Sequence, residues 1–551
     1  MDTNDATRAG YHPTHEVLNQ SPPLEDVDLF STDRALVEAL EREGAGWAAG
    51  LARDFGRQVG SREVVQWGFD ANRNPPVLRT HDRNGRRVDE VDFHPAWHEL
   101  MALSVGHRLH CLPWSEPRPG AHVARAALMF LAGQIEAGHG CPISMTYAAV
   151  PALRRQPEVW EEWRPRICSA RYDRRFIPAG EKTGVLFGMA MTEKQGGSDV
   201  RAITTRAVPA GNGEFVIEGH KWFCSAPMCD AFLVLAKAPG GLSCFLVPRW
   251  KPDGTRNNFF IQRLKDKLGN RSNASSEVEF AGTYGRLVGE EGRGVPTIIE
   301  VANHTRLDCA LSSAGLMRQA LARAAHHARY RSAFGRKLAE QPLMQNVLAD
   351  LCLESEAATA LAMRLARAYD RADDADYEGP LRRLLTPIAK FWLCKRAPSH
   401  VVEALECLGG NGYVEDFILA RLYREAPLNS VWEGSGNVIC LDVLRAMAKE
   451  PRGVEVFLQE IEKGSGGDRR LDAAFRSLKD DLRRASDFEP QARRLVERLA
   501  LALQASLLVQ HAPPVVADAF CASRLGGDWG HTFGSLPPGV DVSAIIERGT
   551  P

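Results

Sequence analysis

Apolar residues recur every three or four positions through two long stretches of this chain and lose that spacing in a third stretch between them. From about 36 to 182, sets such as Leu36, Ala39 and Leu40, or Val123, Ala126, Ala127 and Phe130, predict helices, with loops at Pro113, Pro117 and Pro119. From about 183 to 290 the period shortens. The runs Gly184 to Met191 and Phe232 to Leu235 are punctuated by Gly and Pro. Pro239-Gly240-Gly241 separates the run ending at Lys237 from Ser243 to Val247, as in a hairpin, and Glu277-Val278-Glu279-Phe280 alternates like a half-buried strand. Helical spacing returns at Leu307, Leu311, Ala314, Met317 and Leu321. It continues from Pro342, a good helix start, to about Arg371, and from Leu385 to Leu408, closing at Gly409-Gly410.

These patterns predict a mainly α chain with a β insert. The expected divisions are an N-terminal arm at 1–35, a helical domain at 36–182, a central β domain at 183–290, a second helical domain at 291–450 and an extra helical domain at 451–551. The arm is polar and carries Pro13, Pro22 and Pro23, so it reads as extended. Gly464-Ser465-Gly466-Gly467 reads as a flexible joint ahead of the last segment. There Arg469, Arg470, Arg483, Arg484, Arg493, Arg494 and Arg498 interleave with Asp468, Asp480, Asp481, Glu489 and Glu497. Two readings stand: a solvated amphipathic helix pair, or arginines gathered on one anion-facing side.

Composition narrows the class. A chain of 551 residues with 44% hydrophobic and 25% charged residues has enough apolar content for several cores. Its net charge of −1 gives no global attraction to nucleic acid or to an anionic membrane, so any such contact must be local. Twelve irregularly spaced cysteines with no CxxC pair point to reduced thiols and a cytoplasmic location. No apolar run approaches the roughly 20 residues that span a bilayer.

Candidate chemistry lies in widely separated segments. Met191-Thr192-Glu193-Lys194-Gln195-Gly196-Gly197-Ser198-Asp199 offers hydroxyls and a glycine turn whose N–H groups suit an anion, although such a turn can be only a loop. Gly219-His220-Lys221-Trp222-Phe223-Cys224-Ser225 follows, with Phe223 either at a ligand or a buried strand aromatic. Arg331-x-x-Phe334-Gly335-x-x-Leu338-x-x-Gln341 supplies an Arg fork suited to a diphosphate. Gly409-Gly410-Asn411-Gly412-Tyr413, taken alone, is a helix C-cap. Val431-Trp432-Glu433-Gly434-Ser435-Gly436-Asn437 sets a carboxylate among small residues that let a ligand approach. His107, His110 and Cys111 could share a helix face and bind a metal, but no carboxylate or further His completes the set, and Cys224 and Cys229 read as buried strand ends, so no metal is expected.

In this order and spacing the segments resemble the acyl-CoA dehydrogenase family, and Arg42 to Trp47, Phe93 to His98, Arg263 to Ser272 and Asn429 to Asn437 are similar to its AidB subgroup, associated with the adaptive response to alkylation. The resemblance implies FAD and the family fold: an N-terminal helical domain, a central β-barrel domain and a C-terminal four-helix domain, here with an extra helical domain. It implies Thr192 at the flavin pyrimidine, Ser198 at the pyrophosphate, and Phe223 and Ser225 flanking the ring. Met191, Gly197, Cys224, Val431, Trp432, Ser435 and Asn437 are further flavin contacts by the same resemblance. Arg331, Phe334, Gln341, Gly409 and Gly410 would reach a neighbouring subunit's FAD, in a homotetramer built as a dimer of dimers. Glu406 replaces the family's usual Gln ahead of that glycine turn, and Trp432 its usual Tyr, which narrows the acyl pocket.

Glu433 would be the base that removes the α-proton of an acyl thioester. Thr305 stands where one branch carries its carboxylate, and Arg306 is either an ion-pair or a pocket residue. The subgroup implies double-stranded DNA as a partner, through Arg445, Arg469, Arg470, Arg483 and Arg484, protection of DNA from alkylation, and at most weak dehydrogenase activity. The alternative is a metabolic acyl-CoA dehydrogenase for short or branched acyl thioesters, taking an acyl-CoA or another small hydrophobic substrate.

Overall fold

The computed structural model describes residues 14–484, 488–527 and 530–551, so residues 1–13 of the expected arm, with Pro13, lie outside the described residues. From residue 14 to Asp33 the chain is irregular and docked. Val27 N–H donates to Gly60 O, Leu29 N–H to Gly56 O, and Phe30 is buried. The Asp33 carboxylate then caps helix Arg34–Leu40 by accepting from Leu36 N–H at 3.1 Å.

Helices follow to Ile167, including Ala121–Gly133, Gly140–Leu153 and Pro157–Ile167. The helical expectation for 36–182 needs one correction. Strands β1 (Val77–His81) and β2 (Arg87–Asp92) form an antiparallel hairpin in this stretch. Its turn is closed by Asp82, whose carboxylate accepts from Asn84 and Arg86 N–H. Each strand is short and rich in charge, which hid the alternation. The hairpin is a seam: Val91 packs with the barrel core and Asp89 accepts from Ile261 N–H at 3.0 Å.

The β insert comprises β3 (Phe187–Ala190), β4 (Arg206–Gly211), β5 (Glu214–Ser225), β6 (Ala231–Ala238), β7 (Gly241–Pro248), β8 (Phe259–Leu264) and β9 (Ser275–Leu287). The strand order β3-β6-β4-β5-β9-β7, with β7 also pairing β6, closes the sheet on itself. β6 and β7 form the hairpin read at Pro239-Gly240-Gly241. The interior is aromatic, with Phe232 stacked on Phe259 at 4.8 Å and Phe215 edge-on to Phe245 at 4.9 Å.

Helix Gly294–Tyr330 runs through the molecule and buries the stripe Leu307, Leu311, Ala314, Met317 and Leu321 against Pro342–Asp370 and Glu378–Glu406. A buried Arg125–Asp308 ion pair ties it to the 121–133 helix. The tail forms Pro451–Glu462, Arg469–Arg484, Ala492–His511 and Val542–Gly549. Its Leu471, Phe475, Leu499 and Ile545 join the same apolar cluster as Leu307 and Leu361, so the tail shares that core. Gly464 to Gly467 is a packed turn rather than a loose joint: a Cβ at Gly467 would come 2.3 Å from Val509. Among the described residues no helix is long and apolar enough to cross a membrane.

Candidate active site

Glu433 stands on a turn between Leu428–Ser430 and helix Gly436–Lys449. Its φ is +57° and that of Gly434 is +106°, so two successive residues take left-handed backbone. For a glutamate this costs on the order of 1–3 kcal/mol and must be held by its surroundings. The holders are two cations. Arg306 Nε donates to Glu433 O at 3.0 Å, and Lys390 Nζ donates to Gly434 O. Arg306 also forms a 2.8 Å ion pair with Asp442, itself paired with Arg383 at 2.9 Å, so it is at once an ion-pair residue and part of the site.

The Glu433 carboxylate accepts from Thr305 Oγ1 at 2.8 Å. Burial pushes its pKa above the ordinary glutamate value, against the opposing pull of the Thr305 hydroxyl, Arg306 and Lys390. Glu433 N–H donates to no acceptor among the described residues, which leaves it open to a ligand carbonyl. Trp432 packs against the barrel core while its Nε1 donates to Asn429 Oδ1 at 3.0 Å.

The barrel contributes the other wall. Trp222 N–H donates to Thr192 O at 2.8 Å, joining the Met191–Asp199 turn to β5. Beneath that turn Glu193 and Lys221 form a fully buried 2.9 Å ion pair. Burial alone would raise the Glu193 carboxyl, but Thr204 and Thr205 donors and the Lys221 ammonium drive it well below the carboxylate range. Glu193 is thus the anchor of the turn, a role its place in a ligand motif did not reveal. The Thr192 and Ser198 hydroxyls make no hydrogen bond among the described residues, and Gly197 abuts Thr192, where a Cβ would lie 3.0 Å from Cγ2.

On β5 the alternation puts the Cys224 thiol inside the barrel, so only its backbone faces outward, and leaves Phe223 51% exposed. Ser225, at the end of β5, is half-buried. An outward aromatic, free hydroxyls and a glycine turn fit a flat ring bearing a polar, phosphate-containing chain.

The segments expected to meet a neighbour do project outward. Phe334 is 99% exposed at φ +53°, on the tip of hairpin Ser332–Ala333/Arg336–Lys337, and Leu343 and Tyr413 are also exposed. Arg331 donates to Asn19 O of the arm at 2.7 Å, and Gln341 to Ala333 O. Gly409, at φ +59°, ends helix 378–406, with Gly410 opening the next turn. Val431 and Ser435 are exposed beside Glu433, and Asn437 accepts from Arg493 of the tail at 3.1 Å.

The tail arginines separate into two groups. Arg470 is paired with Asp468 and Asp518 at 2.5 Å each, whereas Arg445 and Arg469 are exposed and Arg483 is 76% exposed, 3.8 Å from Asp480. The Arg484 side chain lies outside the described residues. His107 meets Gln58 and His110 meets Ser169 O, so the two imidazoles have separate partners.

The sequence profile of the AidB N-terminal domain matches residues 19–174, and those of the acyl-CoA dehydrogenase middle and C-terminal domains match 188–283 and 292–448. AidB of Escherichia coli (strain K12) is 49% identical over 93% of this chain and 94% of its own length. The chain belongs to the acyl-CoA dehydrogenase family, AidB subgroup. A structure of Caenorhabditis elegans ACDH-11 in complex with C11-CoA superposes with a TM-score of 0.85 at 27% identity, covering 95% of each chain. The acyl-CoA dehydrogenase of Bacillus anthracis, complexed with FAD, shares the fold at a TM-score of 0.63 and 18% identity over 78% of this chain and 81% of its own. FAD is the cofactor of this AidB-type chain, consistent with the free donors and exposed ring on the barrel side.

Proposed function

We propose that this AidB-type flavoprotein retains the acid–base half of acyl-CoA dehydrogenation, with Glu433 as the base. The observation that carries the reading is the held turn: a half-buried carboxylate, one oxygen bound by Thr305, beside an N–H with no acceptor among the described residues. An acyl thioester whose carbonyl accepts from Glu433 N–H has its α-proton acidified, and the free carboxylate oxygen takes that proton. Desolvation favours the resulting neutral acid. FAD, when bound by Thr192, Ser198, Phe223 and Ser225, supplies the acceptor for the hydride equivalent. Trp432 narrows the cavity toward short or branched acyl groups. The C11-CoA in the ACDH-11 structure supports an acyl-CoA ligand. The exposed Phe334, Leu343 and Tyr413 favour assembly into a homotetramer, and the twelve free cysteines favour the cytoplasm. Anaerobic mixing with a panel of short acyl-CoAs tests the chemistry: rapid loss of flavin colour supports it, and unchanged colour across the panel refutes it.

A second role, binding double-stranded DNA and protecting it from alkylation, is supported by the kinship with AidB and by the exposed Arg445, Arg469 and Arg483. Under that reading the protein is chiefly a DNA shield and its dehydrogenation is weak. Duplex titration at several salt concentrations tests it, with affinity expected to fall steeply as salt rises.

A further inference from the structure

Lys390 lies within Ile388-Ala389-Lys390-Phe391-Trp392-Leu393 on the 378–406 helix and is 1% exposed. A buried ammonium ordinarily has a carboxylate partner. Among the described residues this one meets no carboxylate within ion-pair distance, and its hydrogen-bond acceptor is Gly434 O. Glu433 adjoins the residue whose carbonyl Lys390 holds, and Cys394 follows Lys390 by one turn of the same helix. Around Glu433, the 294–330 helix contributes Thr305, Arg306 and Cys309, and the 140–153 helix contributes Cys141. The 436–449 helix adds Asp442, already satisfied by Arg306 and Arg383. Lys395 reaches Gly436 on the far side of the turn.

Arg306 thus has a carboxylate partner, shared with Arg383, while Lys390 is tied only to the carbonyl next to Glu433. We propose that Lys390 is a positioning residue for the base: its ammonium ties down the Glu433–Gly434 turn and supplies the countercharge that lets the carboxylate persist away from water. This rests on the reading of Glu433 as the proton acceptor.

The test is an infrared titration of the FAD-loaded protein, with the Glu433 carboxyl signal isolated by subtracting the spectrum of Glu433→Gln. Lys390→Gln keeps a donor for Gly434 O but no charge, Lys390→Met keeps neither, and Lys390→Arg keeps the charge. The proton affinity of Glu433 is expected to rise about tenfold or more in the Gln and Met variants and to stay within about threefold in the Arg variant. Equal proton affinity in wild type and a folded Met or Gln variant overturns the proposal. Should neither fold, wild type can still overturn it: a Glu433 found protonated at neutral pH leaves no carboxylate for Lys390 to balance. Failure of acyl-CoA to bleach the flavin would remove the dehydrogenation reading alone, because the titration needs no turnover.

Discussion

Around Glu433 the buried cations hold backbone carbonyls of the turn, with Arg306 also meeting Asp442, whereas among the C-terminal helices each buried arginine closes on a pair of carboxylates. Lys390 and Arg306 bind Gly434 O and Glu433 O, and the Glu433 carboxylate itself takes its hydrogen bond from Thr305 rather than from a cation. Arg364 instead joins Glu378 at 3.0 Å and Glu460 at 2.6 Å, and Arg524 joins Asp350 and Glu354. The first arrangement leaves charge available for chemistry. The second uses it up in fastening the 451–462 and later segments to the main helices. A buried charge satisfied on both sides is structural, while one held only by dipoles and a distant counterion can still exchange a proton.

Five variants break or sharpen this contrast. Glu433→Gln should lower the rate of anaerobic flavin reduction by acyl-CoA about a thousandfold while leaving FAD bound, as stopped-flow absorbance would show. A variant that bleaches at the wild-type rate would move the base elsewhere. Arg364→Met leaves Glu378 with Arg367 and Glu460 with Lys463 and Tyr377, and should cost about 3 kcal/mol in denaturant unfolding, with flavin chemistry retained in the folded fraction.

A third site lies between the two regimes. Glu425 is buried with Asn270 N–H on one oxygen, and burial together with nearby Glu136 pushes its pKa up to about 7 from 4.5. Because the folded value lies above the unfolded one, Glu425 costs nothing below about pH 4.5 and reduces stability progressively as pH rises through about 7. Glu425→Gln should therefore stabilise the protein by roughly 2 kcal/mol in mildly alkaline buffer and leave it unchanged in acid, read from melting curves at both. A gain of equal size at both ends would exclude the titration.

The smallest effect belongs to the surface. Arg470→Ala should cost about 1 kcal/mol or less and leave duplex affinity intact, since Asp468 and Asp518 already occupy that guanidinium. Changing Arg445, Arg469 and Arg483 together to Ala should weaken duplex binding and flatten its salt dependence. The opposite pattern would place the anion-facing side on the paired arginine.

Much of the layout was legible because periodicity is a local property. The 3.6-residue stripe through Leu307 and Leu321, the Pro239-Gly240-Gly241 turn and the Pro342 helix start each need only near neighbours to appear. The β1–β2 hairpin did not appear, because its strands are short, charged and stabilised by packing on a barrel that begins a hundred residues later. Gly464 to Gly467 misled in the opposite sense: glycine permits flexibility, but the Val509 side chain fills the space beside it.

Which residues are expected near the cofactor, and which carboxylate is the candidate base, were implied by the resemblance of the Thr192, Phe223, Arg331 and Glu433 segments, in that order, to the acyl-CoA dehydrogenase family. That Glu193 anchors with Lys221 beneath the turn, that the Cys224 thiol points into the barrel, and that Lys390 holds the Gly434 carbonyl 44 residues away were decided only by tertiary structure. The reason is physical: a motif records which side chains are present, but burial and the distance between charges, which set what a carboxylate or an ammonium does, exist only once distant segments have packed together.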